Sequence, residues 1–324
     1  MSQTVELLRG DKIAVTPVAW LWHGWIAGGK LHVLAGEPGA GKTTIGLALA
    51  ATLTVGGQWP DGTQAPVGDV LIWSGEDGPA DTLAPRLMAA GADMRRVHFV
   101  KRTIDGGGSR PFCPATDMPA LDKAVRGVPE PRLLILDPIV NAISGDSHKN
   151  SEVRRALAPV VEFAEAHRMA VMGITHFSKH SGGRSPVERL NGSLAFGALA
   201  RLVLVVTKGR AEDDGRENRR LLVRAKSNLG PDEDGFLYSL EQAETDGGIS
   251  AARVVWGGEI SGSARDLLAD AEKGGGGGLR EAMKWLRELL AKGPVEQQEV
   301  QRKAEANGFS WATVRRAKSL SVNR

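Results

Sequence analysis

The sequence contains only one cysteine, Cys113, among its 324 residues. A lone cysteine excludes an internal disulfide and is typical of a reducing compartment, so we expect a cytoplasmic protein. The start of the chain lacks the basic and apolar segments of a secretory signal. Long hydrophobic runs are lacking as well. The most apolar one, LARLVLVV at 199–206, is too short to cross a bilayer and contains an arginine, so we expect no membrane association.

Neither sign of charge dominates the chain as a whole, whose formal net charge is +3. The charges are unevenly distributed, however. Residues 279–324 carry 10 Lys and Arg against 5 Asp and Glu, so this segment is +5 and the remainder is −2. A basic terminal segment beside a nearly neutral body favours a polyanionic partner.

Internal repeats are absent, and the apolar runs are short. Strand-like runs alternate with helix-like stretches, which predicts an α/β fold with a mainly parallel sheet covered on both faces. The later runs lack long helices between them and predict an antiparallel extension of the sheet. The strand-like runs are residues 30–36, 69–75, 97–100, 132–137, 169–176, 200–206, 219–226, 235–242 and 252–258. The helix-like stretches are residues 42–55, 79–91 and 151–167.

Five of the 41 glycines are consecutive, in the run GGGGG at 274–278. Five consecutive glycines lose much conformational entropy in a helix or strand, so this run predicts a flexible linker. The sequence accordingly divides into four predicted segments. They are an N-terminal lead-in at 1–28, a long α/β domain at 29–260, a Gly-rich linker at 261–278 and a small helical module at 279–324.

The segment GEPGAGKT at 36–43 matches the phosphate-binding pattern G-x-x-x-x-G-K-[ST], after a predicted strand and at the start of a predicted helix. Its glycines let backbone N–H groups surround phosphate oxygens, and the helix dipole adds to their field. We expect Lys42 to reach the β- and γ-phosphates of ATP, and Thr43 to bind Mg²⁺. The predicted nucleotide-binding residues are Gly36, Pro38, Gly39, Ala40, Gly41, Lys42, Thr43 and Thr44.

The run LLILD at 133–137 is an apolar strand that ends in an acid. Asp137 at that strand tip is predicted to hold Mg²⁺ together with Thr43, which is the Walker B role. Alone such a run is weak evidence, because many buried strands end in aspartate. After a complete phosphate-binding motif it is a strong indication.

An acid directly after Asp137 is missing, because the next residue is Pro138. Hydrolysis needs a carboxylate that orients or deprotonates water, so we expect it from another strand tip. LIWSGEDG at 71–78 ends the second main strand in Glu76 and Asp77. We predict that Glu76 is the base and that Asp77 orients it or caps the next helix. The alternatives are Asp77 as the base, or an acidic surface turn.

Four segments together, LAGEPGAGKTT, LIWSGEDG, LLILDP and ITHFSK, resemble the RecA-like P-loop ATPases, specifically the hexameric plasmid replicative helicases of the RepA-like type. The resemblance covers about residues 20–240. It implies a RecA-like core, assembly into a homo-hexameric ring, and ATP-driven movement on single-stranded DNA.

The resemblance also implies roles for three further residues. His176 corresponds to a γ-phosphate sensor, and Arg201 to an arginine finger that reaches the neighbouring subunit. Lys226, in RAKSNLGP, corresponds to a second cation acting in trans. Some ring helicases have an arginine two residues later, where this chain has Asn228. The alternatives are a strand-capping histidine for His176 and a structural arginine at a subunit interface for Arg201.

Two regions are predicted to contact DNA. In RecA-like rings the loop after the sensor lines the central channel, and here residues 177–193 hold Lys179, His180, Arg184 and Arg189. The second region is the module at 279–324, which reads as three helices with one apolar face that includes Leu290. It resembles a helix-turn-helix unit without a β-hairpin wing. Its predicted phosphate contacts are Arg315, Arg316 and Lys318, and a protein-docking role is the alternative.

The sequence therefore favours an ATP-driven DNA helicase or translocase that serves the replication of a mobile element. An alternative is an ATPase without motor activity, which acts as a nucleotide-switched DNA-binding regulator or as a recombination accessory. A metabolite kinase is a third reading, disfavoured because the sequence shows no arginine-rich lid.

Overall fold

A nine-stranded sheet forms the centre of the molecule in the computed structural model. The structure describes residues 5–147, 149–178, 185–190, 194–209, 219–245, 247–273, 275–291, 293–309 and 311–322. The strands in chain order are β1 (Trp20–Trp22), β2 (Ile26–Ala27), β3 (Leu31–Gly36), β4 (Asp69–Ser74), β5 (Val97–Phe99), β6 (Arg102–Asp105), β7 (Gly108–Pro111), β8 (Pro131–Asp137), β9 (Ala170–His176), β10 (Leu202–Lys208), β11 (Arg220–Ser227), β12 (Glu233–Glu244) and β13 (Ser250–Ser263).

Helices cover both faces of the sheet and form the end of the chain. They are α1 (Lys42–Val55), α2 (Ala84–Ala89), α3 (Met118–Val125), α4 (Asn150–His167), α5 (Leu194–Leu199), α6 (Ala264–Lys273), α7 (Gly275–Leu290), α8 (Gln297–Ala306) and α9 (Trp311–Val322). A further helical segment, Pro79–Leu83, leads into α2. Within the described part of the chain, no helix combines the length and hydrophobicity required to cross a membrane.

The large sheet has the strand order β13-β12-β11-β10-β3-β9-β8-β4-β5. The six strands from β10 to β5 run parallel to one another, whereas β11, β12 and β13 are joined by antiparallel pairings. The predicted mixed α/β fold with a mainly parallel sheet is thus confirmed. The antiparallel extension lies where the late strand-like runs predicted it.

Alternate residues of the central strands enter two separate cores, as expected for a sheet buried on both faces. On β3, Leu34 packs into the core beneath α1, and Val33 packs into the opposite one, beneath α4 and α6. The parallel arrangement brings the carboxyl ends of β3, β4, β8 and β9 to one edge of the sheet. The phosphate-binding segment begins at that edge.

The packed domain begins within the predicted lead-in at 1–28 rather than after it. Trp22 and Ile26 are fully buried, and Trp22 stacks on Trp25 and on Trp59 with ring centroids 4.8 and 5.1 Å apart. Residues 20–27 therefore belong to the core of the α/β domain. The tryptophans close to the start of the chain serve packing within this subunit.

The prediction of a flexible linker at 261–278 is wrong for its described residues. Strand β13 extends to Ser263, and α6 follows it with Leu267 and Leu268 buried against the sheet. The helix α7 then begins within the glycine run, at Gly275. Glycine weakens a helix by about 1 kcal/mol relative to alanine but does not prevent the helical geometry.

The last three helices form a small core of their own. Its buried members come from α7, α8 and α9, and Gly308 has the positive φ of 77° expected just after a helix end. The three helices are those that the sequence predicted. One detail differs: Leu290, expected on the buried face of α7, is 42% exposed because it occupies the last turn.

Several elements were absent from the sequence prediction: β1, β2, α5, α6, the hairpin β6–β7 and the helix α3. The hairpin β6–β7 and the helix α3 both lie between β5 and β8. The β7 sequence GSRP is polar and fully exposed, so it carries no alternation of apolar residues. Helix α3 has only 8 residues, which is too short for a clear helical period.

Candidate nucleotide-binding site

The carboxyl ends of four parallel strands bring the predicted site residues together. Gly36 of β3 pairs in register with His176 of β9, and Ser74 of β4 pairs with Asp137 of β8. Glu76 follows Ser74 by two residues and therefore lies at the same edge. Residues separated by up to about 140 positions in the sequence thus form one cluster around the phosphate-binding segment.

The backbone of residues 36–43 has the form required to surround a phosphate. Gly39 and Gly41 have φ angles of 72° and 93°, in the left-handed region that glycine adopts without strain. At Gly36 a side chain would collide with the carbonyl oxygen of Val206 on β10. Helix α1 begins at Lys42, so its unpaired N–H groups and its dipole face the same concave space.

The ammonium group of Lys42 is held by three acceptors. Its Nζ donates to the carbonyl oxygens of Gly36 at 3.2 Å and Glu37 at 3.0 Å, and it lies 2.9 Å from Nδ1 of His176. Burial lowers the pKa of Lys42, while the charges of Asp137, Glu76 and Glu37 raise it. Three donors meeting three acceptors exhaust the hydrogen-bonding capacity of an ammonium group. An incoming phosphate must therefore displace at least one of them.

Thr43 and Asp137 form the expected pair of oxygen donors. The Thr43 hydroxyl donates to Oδ2 of Asp137 at 2.7 Å. Burial raises the pKa of Asp137, partly opposed by the Thr43 hydrogen bond, and the charge of Glu76 raises it further. A hydroxyl and a carboxylate fit Mg²⁺, which takes few protein ligands together with water and phosphate oxygens. Among the described residues there is no cluster of three or more His, Cys, Asp or Glu that could hold a metal alone.

Glu76 and Asp77 occupy different environments although they are adjacent. Asp77 is tied to Arg86, with Oδ2 3.2 Å from Nη1, and the helical segment at 79–83 is preceded by Gly78, so Asp77 does not cap it. Glu76 is exposed, and its charge raises the pKa of Lys42, Asp137 and His176. The charge of Asp77 also raises the pKa of Asp137, but its carboxylate is paired with Arg86, whereas the charge of Glu76 acts on all three site residues.

Ser74 orients this acidic turn, a role that the sequence analysis missed. Its hydroxyl oxygen accepts hydrogen bonds from the backbone N–H groups of Glu76 at 3.3 Å and Asp77 at 2.9 Å. The N–H of Gly75 donates to the carbonyl oxygen of Asp137 at 2.8 Å, which joins the turn to β8. A serine two residues before an acid is a familiar turn pattern and could have indicated this contact.

His176 is a neutral ring at the centre of the cluster. Burial lowers its pKa, and the adjacent charge of Lys42 lowers it further. With Nδ1 accepting from Lys42, the ring proton of the neutral form lies on Nε2. Directly after it, the N–H of Phe177 donates to the carbonyl oxygen of Gly36 at 3.2 Å. The strand tip of β9 is thus joined to the phosphate-binding segment.

Arg189 does not lie in an open cationic loop as predicted. It is 5% exposed, with its guanidinium 4.4 Å from the centre of the Phe177 ring and Nη2 3.9 Å from Oε1 of Glu37. The N–H of Ser178 donates to the Arg189 carbonyl oxygen at 2.7 Å, and Phe177 pairs with Leu190. Burial against the phosphate-binding segment makes Arg189 part of the loop's base, so its assignment as a DNA contact is wrong.

Arg201 and Lys226 lie at the opposite edge of the sheet. Arg201 is exposed just before β10, and its N–H donates to the carbonyl oxygen of Leu31, where β3 begins. Lys226 donates to the carbonyl oxygens of Gly197 at 2.6 Å and Ala200 at 3.1 Å, at the end of α5. Burial lowers its pKa, and the charge of Arg201 lowers it further. Neither residue reaches the nucleotide site of its own chain.

The remaining predicted DNA contacts divide into two groups. Lys179, His180 and Arg184 lie outside the described residues. Arg315 and Lys318 are exposed on α9, and Arg316 belongs to the same helix.

The antiparallel extension supports the phosphate-binding segment, which the sequence did not predict. The Tyr238 hydroxyl on β12 donates to the carbonyl oxygen of Ala40 at 2.8 Å, and burial raises the pKa of Tyr238. The side chain of Leu240 lies against Gly41. Beside them is a cavity of about 480 Å³, lined by Arg219, residues 237–241 and residues 255–258.

Comparison with known families agrees with this geometry. A family model described as an AAA domain matches residues 3–182. The matched segment contains the phosphate-binding segment, Glu76, Asp137 and His176. No curated protein matches the chain.

Proposed function

We propose that this chain, which belongs to the AAA domain family and is a P-loop ATPase, couples ATP hydrolysis to movement along single-stranded DNA. The motor is a RecA-like, hexameric ring that serves replication of a mobile element. One observation carries the proposal: the contact between Lys42 and His176, at the base of the loop that continues from β9.

In the hydrolysis step, Glu76 accepts a proton from the attacking water, or orients it, as the water approaches the γ-phosphorus. Lys42 and the N–H groups at the start of α1 stabilise the charge that develops on the phosphate oxygens. Mg²⁺, held through Thr43 and Asp137, supplies further neutralisation of the phosphate chain when bound. The ion pair with Arg86 keeps Asp77 out of this step.

The coupling to DNA begins at His176. The γ-phosphate competes with His176 for Lys42, whose donors are already fully used. Release of His176 alters the end of β9 and the paired segment of Phe177 and Leu190, which closes the base of the following loop. Arg189 and Glu37 join the same base to the phosphate-binding segment. These contacts link the base of the loop to the nucleotide site, which supports a response of the loop to nucleotide state.

The separation of charges across the sheet supports the proposed ring. Arg201 is exposed at the edge opposite to the nucleotide site, where it can complete the site of a neighbouring copy but not its own. An arginine acting in trans can raise the rate by about 10³–10⁵. The nucleoside part of ATP occupies the cavity beside Tyr238 and Leu240, which contact the phosphate-binding segment.

The decisive test is the ATPase rate of the assembled protein with and without single-stranded DNA, paired with a fork-unwinding assay. We expect DNA to raise the rate and ATP to drive strand separation. ATP hydrolysis that is insensitive to DNA, together with no unwinding, would contradict the motor and leave the ATPase in place.

A second candidate is a nucleotide-switched DNA-binding regulator without motor activity. The three-helix arrangement of α7, α8 and α9 favours it, because exposed Arg315 and Lys318 lie on the last helix, which is the recognition helix of a helix-turn-helix unit. Removal of residues 279–324 distinguishes the two. Loss of sequence-specific duplex binding with an unchanged ATPase rate would favour the regulator.

A further inference from the structure

Lys208 stands beside the phosphate-binding segment, on the side away from the hydrolytic residues. It is the last residue of β10, and Val206 of the same strand pairs with Gly36. At about 3.3 Å per residue, Lys208 therefore extends about 7 Å beyond the level of Gly36. Its Nζ lies 3.2 Å from the point where a Cβ on Gly39 would stand.

The ammonium group of Lys208 differs from that of Lys42 in its partners. Lys42 is buried and meets three acceptors, whereas Lys208 is exposed and has no hydrogen bond or ion pair within the described part of the chain. The strand that carries it is anchored in the core, because Leu202 to Val206 are fully buried. The backbone of Lys208 is thus held by the sheet, and its ammonium group lies beside a loop built to receive an anion.

The position of Lys208 also indicates which phosphates it faces. Asp137, His176 and Glu76 all come from strands on one side of β3, and they mark the side where the terminal phosphate is cleaved. Lys208 comes from β10, on the other side of β3, towards β12 and the cavity assigned to the nucleoside. Even with Mg²⁺ bound the phosphate chain remains anionic, and Lys42 supplies a single positive charge.

We propose that Lys208 is a second cation of the nucleotide site, which binds the α-phosphate, next to the nucleoside. This inference rests on the proposed ATPase site and assigns it a residue in cis. The charge of the α-phosphate is unchanged when the β–γ bond breaks, whereas the β-phosphate gains negative charge as the leaving group. A cation on the α-phosphate therefore strengthens the binding of ATP and of ADP equally and leaves the chemical step unchanged.

The test compares the full-length chain with its Lys208→Met, Lys208→Arg and Lys123→Met variants, using fluorescent ATP and ADP analogues and steady-state ATPase kinetics. Lys123 is an exposed lysine on α3 and serves as the matched control. For Lys208→Met we expect about tenfold weaker binding of both nucleotides, a KM raised by the same factor, and kcat within twofold, as for a lost charge-assisted hydrogen bond. The Lys208→Arg variant should restore most of the affinity.

Unchanged affinity in Lys208→Met, or a loss of kcat at constant KM, would overturn the inference. The Lys42→Ala variant separates that failure from a failure of the proposed function. If Lys42→Ala loses nucleotide binding and Lys208→Met does not, the ATPase site stands and only the role of Lys208 is wrong. If Lys42→Ala still binds and hydrolyses ATP, the site itself is wrong.

Discussion

The two edges of the large sheet differ in how far one chain completes them. At the carboxyl edge, Lys42, Thr43, Asp137 and His176 satisfy one another through contacts within a single chain. At the amino edge, Arg201 is exposed. The first edge is ready to bind a ligand, whereas the second has a function in catalysis only if another copy faces it. On the proposed function, nucleotide binding therefore belongs to the monomer and rapid hydrolysis to the assembly.

The largest effect that would test this comparison is at Arg201. We expect Arg201→Ala to lower the ATPase rate of the assembled protein by about 10³ or more, because the transition-state charge loses its partner in trans. ATP affinity should hardly change, since binding uses the other edge. Arg154→Ala, at an exposed arginine on α4, is the matched control and should retain the wild-type rate.

Mixing subunits then tests the geometry. A Lys42→Ala subunit lacks its own site but still offers Arg201 to an Arg201→Ala neighbour, so mixed assemblies should regain activity. Failure to recover at any mixing ratio would argue against action in trans.

The next largest effect concerns the carboxyl edge alone. Glu76→Gln should lower kcat by about 10²–10⁴ while ATP binding is kept, because the amide orients water poorly and accepts no proton. Asp77→Asn is the matched neighbour and should lower kcat by less than about tenfold, since Asp77 is paired with Arg86. Single-turnover hydrolysis and nucleotide titration separate the two steps. The opposite ranking of these two variants would mean that the wrong acid has been chosen.

A third prediction concerns His32, at the amino end of β3. Its ring is fully buried, with Nε2 accepting from the N–H of Ala27 at 3.0 Å and Nδ1 facing the carbonyl oxygen of Val171 at 3.3 Å. Burial lowers its pKa from 6.5 to about 4. Between these values the unfolded chain binds a proton that the folded chain excludes, so stability falls as the pH is lowered from 6.5 to about 4.

We expect a loss of about 1.4 kcal/mol per pH unit from this group, or about 3 kcal/mol over the window. Urea unfolding at a series of pH values measures it. The His32→Gln variant keeps a donor and an acceptor and should lose this part of the pH dependence. Parallel pH profiles for the two proteins would contradict the assignment.

The smallest effect is expected at Lys226. Its removal in Lys226→Met leaves two carbonyl oxygens at the end of α5 without their donor, so the free energy of unfolding should fall by about 1–2 kcal/mol. Denaturant titration measures this change. The separate prediction that Lys226 is a second cation in trans is tested by the ATPase rate of the assembled variant. It requires that Lys226→Met lower this rate well beyond the change caused by Lys123→Met. An unchanged stability would show that the two hydrogen bonds contribute nothing.

Sequence patterns predicted the carboxyl edge better than any other part of the molecule. The phosphate-binding segment is local, and strand tips such as Asp137 and His176 are marked by an apolar run that ends in a polar residue. In a parallel sheet such tips must meet at one edge, so their clustering follows from the strand assignment. Glu76 was predictable because Pro138 leaves the usual position without an acid.

Contacts between distant segments were not predictable in the same way. The sequence predicts that Arg189 is a loop cation, but in the structure its guanidinium lies between Phe177 and Glu37. Tyr238 contacts Ala40 across 198 positions of sequence, and no local pattern indicates that pairing. The glycine run shows the reverse problem, because a strong local preference for flexibility does not prevent Gly275 to Gly278 from forming the start of α7.

The hydrogen bond from Tyr238 to Ala40 bears on how far the chain can be truncated and still bind nucleotide. The family match ends at residue 182, yet β10, which flanks the phosphate-binding strand, and β12, which contacts the phosphate-binding loop, both come later in the chain. A fragment ending at the match boundary would expose one side of β3 and leave the loop unsupported. The smallest fragment able to bind nucleotide should therefore extend through β13, to residue 263.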